Sequence, residues 1–434
     1  MALASLLAVL ALGPSTPSSA AEDPTRLLER LVDLPTPEER QAEARRLAGR
    51  AEIELSAWLA AAAGFGSFAP LPPGPRVEDL APAREGEAGD GAVELYVPPG
   101  YDPARPAPLL LFLSARRGSG EGGHRPWQGI ADELGILVLS PPQPGEGYGF
   151  TPRERGRALA ALRWARRRAN VDENRIFVAG ESCGGHAAWD LALRHPDLFA
   201  GLFPLVGAPR LSIANAQNNM RYVENVAHLV VRDLQGAKDD PGLLFNVRLA
   251  FERLREYGAP DVELVEFPDL AHGFDLARVD WKEIFARAAR DPAPDRVVLR
   301  AASLATARSH WVVLERLGKE VAETFTPQVK DVVWKALDED GRRRELQAQA
   351  DERTARLEVR REGAGRYAAE GEHVGAFRIL RTAAECATGA AVEVRFAGRT
   401  VKSRPRPAAR LLLEEFAERF DRSFLPVAEV QVGR

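Results

Sequence analysis

The chain has 434 residues, 45% of them hydrophobic, a formal net charge of −4 and only two cysteines. That length supports two or three domains with sizeable cores, and the mildly acidic balance gives no whole-chain case for nucleic-acid binding. Cys183 and Cys386 lie too far apart in sequence to suggest a metal site and are not expected to pair.

Residues 1–20 read as a secretory signal peptide. Leu3 to Leu12 is largely apolar but too short to span a bilayer, and Gly13-Pro14 and Ser18-Ser19-Ala20 suit cleavage after Ala20. The expected location is secreted or periplasmic, and no later stretch is long and apolar enough for a membrane span. Residues 21–75 form an expected helical lead-in that packs on the domain after it. Leu27, Leu28, Leu31 and Val32 recur at helical spacing, Pro35 to Pro37 interrupts, and a second helix is expected from about Glu38 to Ala62. Pro70 to Pro75 marks a boundary.

Between residues 85 and 290 strands alternate with helices. Ala92–Val97, Pro108–Leu113, Ile136–Leu139, Arg175–Ala179, Leu202–Val206, Val226–Val231 and Val262–Phe267 read as strands. Arg153–Ala169, the stretch after Ser182, Leu243–Tyr257 and Trp281–Ala289 read as helices. This alternation predicts an α/β fold, a mostly parallel sheet covered by helices. The basic run Arg163-Trp-Ala-Arg-Arg-Arg168 reads as the solvated face of a helix. After Pro292-Ala293-Pro294, short strand-like runs predict a smaller, mostly-β region over 296–434. Its charged Lys335–Asp351 segment reads as an exposed helix or loop, and Ala409–Phe420 as a helix.

The densest signal is Arg175-Ile-Phe-Val-Ala-Gly-Glu-Ser182-Cys-Gly-Gly-His-Ala-Ala-Trp189. Gly180, Ser182 and Gly184 fit G-x-S-x-G between a strand and a helix, a turn that raises a serine hydroxyl at a helix N-terminus. An activated serine needs a base and a group to orient that base. His272 follows the Val262–Phe267 strand in a short loop, with Gly273 leaving the ring room. Asp239 follows an earlier strand, with Asp240 beside it as the rival acid. His186 is expected to pack, and His195 to sit at a helix C-terminus and interact with its dipole. His228 falls within a strand, His124 is placed to line a mouth, and His310 and His373 belong to the C-terminal region. No spacing resembles a zinc site, and no cofactor motif is present. An oxyanion hole would use the N–H of Cys183 and one from the Ser114–Gly118 loop. Trp127, Tyr148 and Tyr222 sit in loops suited to lining a pocket or to packing.

Together these stretches resemble the α/β-hydrolase superfamily, with greatest likeness to secreted feruloyl-esterase or polyhydroxybutyrate-depolymerase-like esterases and to prolyl-oligopeptidase-like peptidases. The resemblance rests on Leu95–Pro103 leading to Pro108–Leu113, Gly180–Gly185 with Ala188-Trp-Asp190, Gly236–Asp239, and Ala271–Gly273. It implies an α/β-hydrolase fold with Ser182 as nucleophile, Asp239 as acid and His272 as base. It also implies oxyanion donors at Cys183 and Arg116, and a small ester or peptide as substrate. The pattern departs from the family at Ser114-Ala115 and at Gln235-Gly236, each standing where His-Gly is usual. Ester hydrolysis, peptide hydrolysis and a non-catalytic binding role are the three functions this pattern admits.

Overall fold

A computed structural model describes residues 22–80, 91–115, 120–142, 151–211, 218–387 and 389–433. The signal-like residues 1–20, Arg116 and Tyr148 lie outside them.

Three helices open the described chain: α1 (Pro24–Asp33), α2 (Pro37–Ala48) and α3 (Leu55–Ala63). Asp23 caps α1, and Thr36 with Glu39 forms a reciprocal capping box on α2. The single helix expected over 38–62 is two helices. Gly49 caps the C-terminal end of α2, and the chain turns through buried Ile53 before α3 begins.

The central region follows as β1 (Gly74–Leu80), β2 (Gly91–Val97), β3 (Ala107–Leu113), α4 (Gln128–Leu134), β4 (Leu137–Ser140), α5 (Pro152–Arg168), β5 (Val171–Glu181), α6 (Cys183–Arg194), β6 (Gly201–Leu205), β7 (Val230–Gly236), α7 (Pro241–Glu256), β8 (Val262–Phe267) and α8 (Trp281–Arg287). The strands form one eight-stranded sheet in the order β1-β2-β4-β3-β5-β6-β7-β8. Only the β1–β2 and β2–β4 pairings are antiparallel. This is the α/β-hydrolase architecture. Its first strand, Gly74–Leu80, precedes the expected start at residue 85; its alternating half-exposed residues carry little apolar signal.

β3 is buried along its whole length, as a central parallel strand requires. Leu109, Leu111 and Leu113 face the core formed with α5, α6 and α7, whereas Leu110 and Phe112 face the one formed with α4 and α8. The expected Val226–Val231 strand begins four residues later. Met220–Val226 winds instead into a 3-10 helix, which puts His228 in a turn.

The remaining elements are β9 (Arg296–Ala301), β10 (Arg308–Ser309), β11 (Val312–Leu317), α9 (Asp331–Ala336), α10 (Glu339–Asp351), β12 (Ala355–Arg361), β13 (Arg366–Glu372), β14 (Val374–Thr382), α11 (Ala383–Cys386), β15 (Val392–Phe396), β16 (Arg399–Ser403), α12 (Ala409–Arg419) and β17 (Pro426–Gly433). A four-stranded sheet, β10-β11-β14-β17, and a five-stranded one, β16-β15-β13-β12-β9, enclose a common core that includes Trp311, Leu357 and Phe377.

Helix α12 leaves this β-rich region and packs among the N-terminal helices. Leu412, Leu413 and Phe416 share a core with Leu28, Leu31, Trp58 and Phe65. Of the basic run of α5, Arg163, Arg166 and Arg167 fasten this same assembly, and only Arg168 is exposed. Arg163 donates to Val32 O and Ala417 O, and buried Arg166 pairs with Glu173 at 2.9 Å. Arg167 pairs with Asp33, and Arg168 pairs with Glu78. Burial, with Arg40 and Arg166 nearby, pushes Arg163 down to about 9. A second polar junction centres on Arg290. Its guanidinium donates to Asp421 at 2.8 Å, to Asp197 O at 2.7 Å, and to Asn174 and Ser423. His228 and His310 meet edge-to-face beside it.

Candidate active site

The site lies where β5 gives way to α6. Ser182 has φ 55° and ψ −113°, a conformation that L-residues with side chains rarely adopt. Surrounding packing enforces it. Ser182 N–H donates to Leu205 O on β6, and His186 N–H donates back to Ser182 O. The glycines permit it: a Cβ on Gly184 would stand 1.8 Å from Leu113 O, so the segment leaving β3 passes directly against the turn.

The Ser182 hydroxyl lies 2.8 Å from His272 Nε2, and His272 Nδ1 lies 2.7 Å from Asp239 Oδ2. The carboxylate fixes the tautomer: Nδ1–H donates to Asp239, so Nε2 is left to accept the Ser182 O–H. Two loops bring these groups together. Ala237 N–H donates to Phe267 O and Lys238 N–H to Leu270 O, lashing the turn after β7 to the turn after β8. A Cβ on Gly236 would stand 1.7 Å from Ala271 O, so this approach also requires glycine. His272 is 49% exposed, open to an incoming molecule, while the Asp239 side chain is 6% exposed.

Asp239 and Asp240 divide their roles. Asp239 Oδ2 also accepts from Gln235 Nε2 at 2.7 Å, and Oδ1 accepts Asp240 N–H at 2.7 Å. Asp240 turns away and caps α7, accepting from Gly242 N and Leu243 N. In the sequence Gln235 stands out only as a departure from the family pattern; the signal for its contact is its position four residues before Asp239.

The N–H of Cys183 opens α6, among the four N–H groups that a helix cannot satisfy internally. Both cysteines are free. Arg116 lies outside the described residues, but both ends of its loop are placed. Glu94, nearly fully buried, accepts from Gly122 N at 2.7 Å and His124 N at 3.2 Å, and meets His124 Nδ1 at 2.6 Å. His124 therefore anchors the loop from beneath, stacked on Tyr96, and does not line a mouth. His186 Nδ1 lies 2.6 Å from Ala208 O and fastens the segment after β6; burial pushes it down to about 4. Burial likewise pushes His195 down to about 4, with Arg419 beside it, so it is neutral and carries no charge for the α6 dipole. Trp127 packs against Phe112, Trp281 and Phe285, and Tyr222 is buried beneath Arg194, so neither faces a pocket.

A serine, an imidazole and a carboxylate in this line can move a proton off the hydroxyl as it attacks a carbonyl carbon. No protein-family model matches the chain, and no curated protein matches it. Among solved structures, a thermostable esterase is 26% identical, with 41% of this chain and 51% of that one covered and a TM-score of 0.34. A butyrate-bound esterase from Thermogutta terrifontis is 18% identical over 49% of this chain and 91% of its own, with a TM-score of 0.38. The acylaminoacyl peptidase of Pyrococcus horikoshii is 17% identical over 50% of this chain and 42% of its own, with a TM-score of 0.42. The chain thus spans about half the length of the thermostable esterase.

Proposed function

We propose that the chain is an exported serine hydrolase that cleaves carboxylic esters through an acyl-enzyme intermediate. The observation that carries this reading is the hydrogen-bonded line Ser182–His272–Asp239 ending on a serine held at φ 55°. His272 Nε2 takes the hydroxyl proton as Ser182 Oγ bonds to the ester carbon, and the carbonyl π pair moves onto oxygen. That oxyanion faces the N–H of Cys183 and one from the segment after Leu113. As the tetrahedral species collapses, the C–O bond to the alcohol breaks and the imidazolium returns its proton to the leaving oxygen. Water then repeats the sequence and frees Ser182. Asp239 orients the ring and stabilises the imidazolium without itself taking the proton. Export is supported by the apolar Leu3–Leu12 stretch and the small residues ending at Ala20.

The test is hydrolysis of p-nitrophenyl acetate by the wild-type protein and by Ser182→Ala, with a fluorophosphonate probe on both. Wild-type turnover and labelling, both lost in Ser182→Ala, are expected. Equal rates for the two proteins would overturn the assignment, and cleavage of peptides but not esters would move it to a peptidase.

A further inference from the structure

We propose that Gln235 is a positioning residue, holding Asp239 at the angle that receives the Nδ1–H of His272. The inference rests on the serine-hydrolase reading above.

Asp239 sits on a turn, and a carboxylate rotates easily about its last torsion. Its Oδ1 is held by the neighbouring Asp240 N–H, which moves with the same turn. Gln235 is the anchor that comes from the sheet. It is fully buried on β7, paired opposite Glu266 on β8, so its backbone is set by the ladder. From there Nε2 donates at 2.7 Å to Oδ2, the oxygen that also takes the histidine proton.

The orientation of the Gln235 amide follows from chemistry. Turned over, it would set its own oxygen 2.7 Å from a carboxylate oxygen, two acceptors in repulsion. In the orientation adopted, Oε1 has no hydrogen-bond partner among the described residues despite being buried. A buried amide oxygen left without a donor is a rare arrangement. Gln235 is thus held for its N–H at the expense of its oxygen, which an ordinary packing glutamine would not require. Two residues earlier on the same face of β7, Asp233 accepts from Trp189 Nε1 on α6, so the strand that anchors the acid is also tied to the helix behind Ser182.

The experiment compares Gln235→Met, which keeps length but has no donor, Gln235→Glu, which donates only as the protonated acid, and Gln235→His, which restores an N–H. Each is measured for p-nitrophenyl acetate kcat and KM, for the pH dependence of kcat and kcat/KM and for its thermal midpoint. Gln235→Met is expected to lose about tenfold or more in kcat with KM within about threefold. Gln235→Glu is expected to share one proton with Asp239, donating O–H to Oδ2, and so to keep more kcat than Gln235→Met near neutral pH and to lose that advantage as the proton leaves at higher pH. Gln235→His is expected to recover part of the lost kcat. A folded Gln235→Met with wild-type kcat, or a folded Gln235→Glu no more active than Gln235→Met at every pH, would overturn the proposal. If Ser182→Ala is inactive in the same assay, either result condemns the role of Gln235 alone. If Ser182→Ala stays active, the serine-hydrolase reading itself has failed.

Discussion

Arg290→Met removes the cation at the centre of the junction between the sheet and the β-rich region. Arg290 is 3% exposed and Asp421 7% exposed, and the pair is 2.8 Å apart. Burial alone would raise the Asp421 carboxyl, but Arg290, with Arg166 and Ser423 also near, holds it well below the usual carboxylate range. The methionine fills much of the space but leaves that carboxylate buried without its main partner. Asp197 O and Asn174 Oδ1 lose donors in the same step. Stranding one member of a buried pair costs about 3–5 kcal/mol. Arg290→Met/Asp421→Asn removes the stranded charge, so it is expected to be destabilised by less than the sum of the two single variants. The assay is urea unfolding of the wild type, both single variants and the double. A loss below about 1 kcal/mol in Arg290→Met, or a double variant as costly as the sum, would refute the reasoning.

Asp239→Asn is expected to lower kcat by about 10³–10⁴-fold in the chromogenic ester assay. Either amide orientation sets NH₂ against a donor, Asp240 N–H on one side or Gln235 and His272 on the other; a loss under tenfold would contradict this. Asp233→Asn is expected to be stabilising or neutral at pH 8. Burial raises the Asp233 carboxyl well above its usual range, opposed by the Trp189 N–H. Its native-state proton therefore favours folding below the ordinary carboxylate pKa, and that benefit is lost as pH rises through the native value. The variant's advantage in thermal midpoint should grow from pH 5 to pH 8, and the reverse trend would count against it. Acid should destabilise the protein early: burial lowers His186 and His195 to about 4, with His228 and His310 lowered too. Unfolded histidines take protons from about 6.5 downward. Stability is therefore whole above that pH and falls toward pH 4, and equal thermal midpoints at pH 7.5 and pH 5 would refute the point.

The parallel strands were legible because burial on both faces writes a continuous apolar run; Val262–Phe267 matches the expected bounds residue for residue. Ser182, His272 and Asp239 were legible as candidates because each follows a strand. Their mutual distances were not, since these depend on loop-to-loop bonds such as Lys238 N–H to Leu270 O. Strand β1 lies before the expected start at residue 85 because its alternating, half-exposed residues carry little apolar signal. The arginines of α5 were misread for a related reason. A charged side chain looks solvated until its partners, Glu173 and Ala417 O, arrive from distant parts of the chain. Gln235 could not be assigned a partner because no local pattern distinguishes a glutamine that donates to a carboxylate from one that packs.

The shared core of α12 with α1, α2 and α3 has a consequence for the order of events during synthesis. The first helices leave the ribosome about 360 residues before α12 follows. At about 5–20 residues per second that is a wait of roughly 20–70 seconds. Through that interval Leu28, Leu31, Trp58 and Phe65 lack the C-terminal side chains that cover them in the finished protein. The nascent chain therefore carries, near its leading end, apolar surface that is covered in full only when α12 arrives.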